Sequence, residues 1–169
     1  MARTFIWHPY SSTQVEAPIL GTLPPESTVV RRPPSASGKP QILAVDDDPL
    51  ILRTLQRVLK ATRPNWNITA APSAATALQQ LGVQHFDVLL TDLDMPGMRG
   101  EALLEAALAV HPNLTCVVHS GQIEGLNPAL RSKLAGIVGK PATMIELGEA
   151  LDNAVSASKR RRLKAVPLV

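Results

Sequence analysis

Ile42-Leu43-Ala44-Val45-Asp46-Asp47-Asp48-Pro49 is an apolar run that stops on acids, and the chain repeats the device. Val88-Leu89-Leu90-Thr91-Asp92-Leu93-Asp94-Met95-Pro96 also ends on acids. Val117-Val118-His119-Ser120-Gly121 ends on a hydroxyl, and Gly136-Ile137-Val138-Gly139-Lys140-Pro141 ends on a lysine. Short apolar runs bounded by turn residues read as strands buried on both faces, as in parallel sheets. If the runs are parallel, Asp46, Asp92, Ser120 and Lys140 gather at one edge of one sheet.

The intervening segments have helical periods. Strand one is expected over 41–46. After Pro49, Ile51, Leu52, Leu55, Val58 and Leu59 recur at helical spacing, and Pro64 ends that helix. A short strand follows over 67–71. Ser73 caps a second helix with Ala77, Leu78 and Leu81 inward, and Gly82 is expected to stop it. Strand three covers 87–92 and helix three 100–110, with a Pro96-Gly97 turn between them. Strand four covers 115–120. Asn127-Pro128 opens a short fourth helix to about Ala135, strand five covers 136–140, and Met144, Leu147, Leu151 and Val155 line a fifth helix. Alternation of this kind implies an α/β doubly wound parallel sheet covered on both faces, with right-handed crossovers. Ligands of such folds bind beyond the carboxyl ends of the strands, where the winding switches direction.

The edge residues define a chemistry. Asp46, Asp47 and Asp92 would put three carboxylates together, and unshielded they repel. A hard divalent cation such as Mg²⁺ relieves this and suits an all-oxygen donor set. A carboxylate at Asp92 can act as a nucleophile toward phosphorus and form an aspartyl phosphate. Lys140 supplies a point charge and Ser120 a hydroxyl for phosphoryl oxygens.

On these motifs the region from about Pro40 to Val155 resembles the receiver domain of two-component response regulators. The shared set is a paired acid after strand one, Asp-x-x-Met-Pro-Gly after strand three, Ser-Gly after strand four and Lys-Pro after strand five. The resemblance implies a flavodoxin-like, chemotaxis-regulator-like sheet of order 2-1-3-4-5 with five helices. It implies Asp92 as phosphoacceptor, and Mg²⁺ held by Asp46, Asp47, Asp92 and the main-chain carbonyl of Asp94. It further implies Ser120 as a switch hydroxyl, Lys140 as the phosphoryl's counter-charge, and a cis Lys140-Pro141 bond. The phosphoryl donor would be a sensor histidine kinase or histidine phosphotransfer protein, and the output a downstream protein effector. Two positions depart from the pattern. Ile137 stands where the family often has an aromatic switch residue, and the segment from Gly121 to Ala135 is short and glycine-containing. The Ser120-Gly121-Gln122 turn and Pro64-Asn65-Trp66 are similar to receivers joined to HD-type output domains.

Composition frames this reading. The 169 residues are 45% hydrophobic but only 3% aromatic, so the core must be aliphatic and alanine-rich. The lone Cys116 excludes an internal disulfide and reads as a buried thiol. No apolar run reaches the roughly 20 residues of a membrane span, and no signal-type stretch opens the chain, so a cytoplasmic protein is expected. The net charge of +3 is uneven: residues 157–169, read as a basic tail, hold Lys159, Arg160, Arg161, Arg162 and Lys164 and no acid. Residues 1–39 are also net basic and rich in Pro, Ser and Thr, which suggests disorder. Within them Phe5-Ile6-Trp7-His8-Pro9-Tyr10 holds three aromatics and could dock to a partner. The receiver domain itself, 40–156, is acidic.

Rival readings rest on single features. Asp92-Leu93-Asp94 matches the Asp-x-Asp nucleophile motif of haloacid-dehalogenase-type phosphatases, but that family places the motif after its first strand and does not follow it with a residue like Pro96. A scaffold that is never phosphorylated would not need every acidic, hydroxyl and lysine position filled. Nucleic-acid binding through the basic tail would be weak and sequence-independent. Among neighbouring polar residues, Asp48 reads as a helix cap beside Pro49, His119 as a packed histidine, and Asp94 and Gln122 as modulators of phosphoryl lifetime.

Overall fold

The computed structural model describes residues 38–165. The expected disordered tail and its aromatic stretch lie outside the described residues up to residue 37, as do residues 166–169.

Five strands and five helices alternate: β1 Gln41–Val45, α1 Pro49–Thr62, β2 Asn67–Ala71, α2 Ala74–Val83, β3 Val88–Thr91, α3 Gly100–Val110, β4 Thr115–Ser120, α4 Pro128–Arg131, β5 Gly136–Gly139 and α5 Met144–Ala165. The strands are all parallel, in the order β2-β1-β3-β4-β5. The direction of winding changes between β1 and β3, so the crevice of the fold opens between Asp46 and Asp92.

Two cores lie on the two faces of the sheet. One joins Leu43, Val45, Leu89, Cys116 and Val118 to Ala77 and Leu81 of α2, Leu103 and Leu104 of α3 and Leu130 of α4. The other joins Ile42, Ala44, Val88, Leu90 and Val117 to Leu52, Leu55 and Leu59 of α1 and Leu147 and Leu151 of α5. Alternate strand residues feed opposite cores, as the two-residue period of a strand requires. Cys116 is fully buried, and burial pushes its thiol up to about 12.

Local chemistry accounts for the element ends. Asp48 caps α1, its carboxylate accepting from the Leu50 N–H at 2.7 Å, with Pro49 in the first turn. Ser73 caps α2 through the Thr76 N–H. Several boundaries differ from the sequence reading. Strands one, three and five end a residue early, at Val45, Thr91 and Gly139, and strand three also begins a residue late, at Val88, although the N–H groups of Asp46, Asp92, Lys140 and Asp87 still bond to the neighbouring strands. α2 passes through Gly82 to Val83, since a single glycine costs a helix only ~1 kcal/mol. α4 is a single turn rather than a helix to Ala135. The Lys133 and Leu134 N–H groups tighten onto Leu130 and Arg131, and the Ala135 N–H already bonds to the Cys116 carbonyl of β4. α5 runs on to Ala165, so the 156/157 boundary falls inside a helix. Ser158 is buried there, and Arg162 Nη1 reaches Asp87 Oδ1 at 3.1 Å.

Asp87 closes the opposite, amino-terminal end of the strands. Its carboxylate accepts the Gln41 N–H at 2.8 Å, and its other oxygen lies against His85 and Arg162. Burial would raise its pKa, but the bonds from His85 and Gln41 outweigh that and hold the pKa below the usual carboxylate range.

Candidate functional site

Asp46, Asp92 and Lys140 are each set by a backbone hydrogen bond just past a strand end, and Ser120 is the last residue of β4. The Asp46 N–H donates to the Ala71 carbonyl of β2 at 3.3 Å, and the Asp92 N–H to the Val45 carbonyl of β1 at 3.0 Å. The Lys140 N–H donates to the Ser120 carbonyl of β4 at 2.9 Å. The successive crossovers of the parallel sheet thus bring residues 46, 92, 120 and 140 to one rim.

Asp46 and Asp92 are buried while Asp47 is exposed. Lys140 Nζ lies 2.8 Å from Asp46 Oδ2 and 2.6 Å from Asp92 Oδ2, so one ammonium bridges two buried carboxylates. Burial disfavours charge on all of them. At Asp92 it is outweighed by the bonds from Lys140 and from the Asp94 N–H, and the pKa falls. At Lys140 it is outweighed by Asp46 and Asp92, and the pKa rises. Asp92 and Lys140 are therefore both charged at neutral pH.

One lysine does not balance the cluster. Asp46, Asp47 and Asp92 each offer a carboxylate oxygen, and the three oxygens lie within 4.8 Å of one another. Three acids against one ammonium leave a deficit of two positive charges, in an all-oxygen setting open on the Asp47 side. That donor set fits a hard divalent cation such as Mg²⁺.

Ser120 Oγ donates to Asp94 Oδ2 at 3.3 Å and accepts the Gln122 N–H at 3.3 Å. Its hydroxyl is therefore turned toward Asp94, whose exposed side chain stands at the mouth of the site. His119 is buried, with Nε2 lacking a hydrogen-bond partner. Burial first, and Lys140 second, lower its pKa, so the ring is neutral, as expected of a packed histidine. The Lys140-Pro141 bond is cis.

Two supporting residues escaped the sequence reading. The Thr91 hydroxyl donates to the Asp92 carbonyl at 2.8 Å. Gly100, taken only as the start of α3, lies so close beneath the site that a Cβ there would collide with the Asp92 carbonyl oxygen and come within 2.7 Å of Leu93 Cα. A glycine inside a Met-Pro-Gly-Met-Arg-Gly segment looks like turn chemistry, and only the approach of α3 to the backbone of residue 92 shows what it is for. Gly97, by contrast, has φ +80 and answers to the turn itself.

A family profile described as the response regulator receiver domain matches residues 42–152. The chain is 30% identical over 129 residues to a two-component response regulator of Arabidopsis thaliana, covering 74% of this chain and 23% of the relative. It is 27% identical over 129 residues to the C4-dicarboxylate transport transcriptional regulatory protein of Rhizobium meliloti, covering 75% and 27%. The chain therefore spans about a quarter of the length of these curated relatives. Among solved structures, the signal receiver domain of an HD domain-containing protein from Pseudomonas fluorescens superposes with a TM-score of 0.63 at 27% identity, over 72% of this chain and 98% of that one. The profile covers the whole sheet from β1 to the core-facing turns of α5, and its limits enclose the carboxylate pair, the hydroxyl and the lysine. By sequence and by fold together, the chain belongs to the response regulator receiver family of two-component signalling.

Proposed function

We propose that Asp92 is the phosphoacceptor of this receiver and that the site works with Mg²⁺. The observation that carries the reading is Lys140 Nζ bridging Asp46 and Asp92 beside the Asp47 carboxylate. An oxygen of Asp92 attacks the phosphorus of a phosphohistidine, on a sensor histidine kinase or histidine phosphotransfer protein, or of a small phosphodonor. A bond from carboxylate oxygen to phosphorus forms, the bond from phosphorus to the donor breaks, and the freed imidazole takes a proton from water.

Mg²⁺, held by Asp46, Asp47, Asp92 and the Asp94 main-chain carbonyl, would neutralise phosphoryl oxygens during transfer. Lys140 follows the transferred charge, exchanging part of its contact with Asp92 for a phosphoryl oxygen. The Ser120 hydroxyl leaves Asp94 and donates to another. The added charge is about −1.5 to −2 at neutral pH, enough to bias a two-state surface presented to a protein effector. With Ile137 half-buried against the first core, that switch runs through Ser120 and the Gln122 turn without an aromatic rotamer.

Receivers are signalling modules, and the chemistry proposed is confined to the protein's own phosphorylation and dephosphorylation. The family assignment does not favour the dehalogenase-type phosphatase reading. Among the described residues no helix is long and apolar enough to cross a membrane. Incubation with acetyl phosphate and Mg²⁺, followed by intact-mass spectrometry, tests the assignment. One phosphoryl adduct is expected, absent in Asp92→Asn; an adduct of unchanged yield in that variant would place the acceptor elsewhere.

A further inference from the structure

Away from the phosphoacceptor rim, the outer edge of the sheet carries a stripe of cations beside an edge strand. α1 contains no acidic residue, and Arg53, Arg57 and Lys60 recur along it at spacings of four and three, which puts them on one stripe. All three are exposed and none is ion-paired among the described residues. With Trp66, Asn67 and Ile68 they line an open groove of ≈ 660 Å³ between α1 and β2.

β2 is an edge strand, and its backbone completes the picture. The Asn67 N–H and the Ala71 carbonyl are bonded toward β1, so alternation turns the peptide groups of Ile68 and Ala70 outward. Their two carbonyls are already taken: Gln56 Nε2 of α1 donates to Ile68 O at 3.4 Å, and Gln80 Nε2 of α2 donates to Ala70 O at 3.5 Å. Their two N–H groups have no partner among the described residues. The edge therefore offers donors and cations, with its acceptors covered.

We infer that this groove binds an acidic, extended polypeptide segment of a partner protein, laid along β2. An added strand would give its carbonyls to the Ile68 and Ala70 N–H groups, and acids at alternate positions would face Arg53, Arg57 and Lys60. A nucleic acid fits less well. Single strands bind by stacking bases on bare aromatic rings, whereas the Arg63 guanidinium covers Trp66 at 5.1 Å and the ring packs against the second core.

The test uses the full chain and an alternating glutamate–valine decapeptide at low ionic strength, where exposed charges are least screened. Binding is expected, weakened at least roughly tenfold by R53E/R57E/K60E and less than about twofold by K159E/R160E, because only the first set lines the groove. Should the triple variant fail to fold, R57E alone must still weaken binding measurably. Peptide must also slow amide exchange at Ile68 and Ala70, which a loose ionic cloud would not do. The inference is overturned by equal weakening from the α5 reversal, by no change at those amides, or by no binding at all. Tighter binding of a decathymidylate oligonucleotide would give the groove to nucleic acid. A concentration-dependent mass increase, abolished by the same reversal, would give it to a second copy. Each of these also overturns the inference. Phosphorylation of Asp92 enters none of these readouts.

Discussion

A methyl group at residue 100 would need the space that the Asp92 carbonyl oxygen occupies, and that oxygen is fixed by the Thr91 hydroxyl and by the strand behind it. Neither neighbour is the loose end of a side chain, so the backbone itself would have to move. Gly100→Ala is expected to lose about 1–3 kcal/mol, the usual range for overpacking a tight contact. A fall in the urea midpoint measures the loss, and slower phosphoryl uptake from acetyl phosphate should accompany it because Asp92 moves with its carbonyl. A variant of unchanged midpoint would mean that α3 can slide without cost. The side chains that do chemistry were legible in the sequence because each is a polar residue ending an apolar run. Gly100 was not, since its requirement arises from two segments meeting and leaves no mark on the local pattern.

The elements show the same division. Strand positions, the Asp48 and Ser73 caps and the switch-point placement of Asp46 and Asp92 could be read from periodicity, caps and alternation. The end of α5 could not. A run of lysine and arginine looks like a solvated tail, yet Lys, Arg, Leu and Ala are good helix formers, and Arg162 finds a buried partner 75 residues earlier in the chain, at Asp87. α4 failed in the opposite direction, because the demand to enter β5 beside Cys116 overrides its proline start. Arg162→Ala should therefore fray the last turns of α5 without unfolding the domain. Faster amide exchange from Lys159 to Ala165 is expected, with a global loss under about 1 kcal/mol. The arginine end of the pair is largely exposed, and Asp87 keeps the Gln41 N–H and His85. A loss of several kcal/mol would show that the helix end is integral to the core.

At the scale of the whole molecule, buried acids sit at both ends of the strands: Asp46 and Asp92 under Lys140 at one, Asp87 under Gln41, His85 and Arg162 at the other. Asp87 and Asp92 both have pKa values lowered from 3.8 by their partners, so the unfolded chain takes up protons at these positions before the folded one does. Their contribution is complete above about pH 4 and is lost as pH falls through 3.8 and then through the lower folded values. Lys140 is raised from 10.5, so its contribution is complete below that value and is lost as pH climbs past it toward the folded pKa. His119, lowered from 6.5, adds a loss as pH falls below that value, and Cys116, raised from 9.0, adds one as pH climbs past it, so stability against denaturant should form a plateau only between about pH 6.5 and 9. Asp87→Asn removes one of the acids responsible for the low limb and none of the groups behind the high one. It is expected to lower the plateau, because a buried charge partner of Arg162 is gone, and to make the acid limb shallower, while the alkaline limb keeps its midpoint. Chemical denaturation followed by circular dichroism across the pH range reads all three features at once. If the acid limb of Asp87→Asn kept its full slope, the proton uptake would have to come from carboxylates other than Asp87, and its pairs with His85 and Arg162 would be incidental to acid stability.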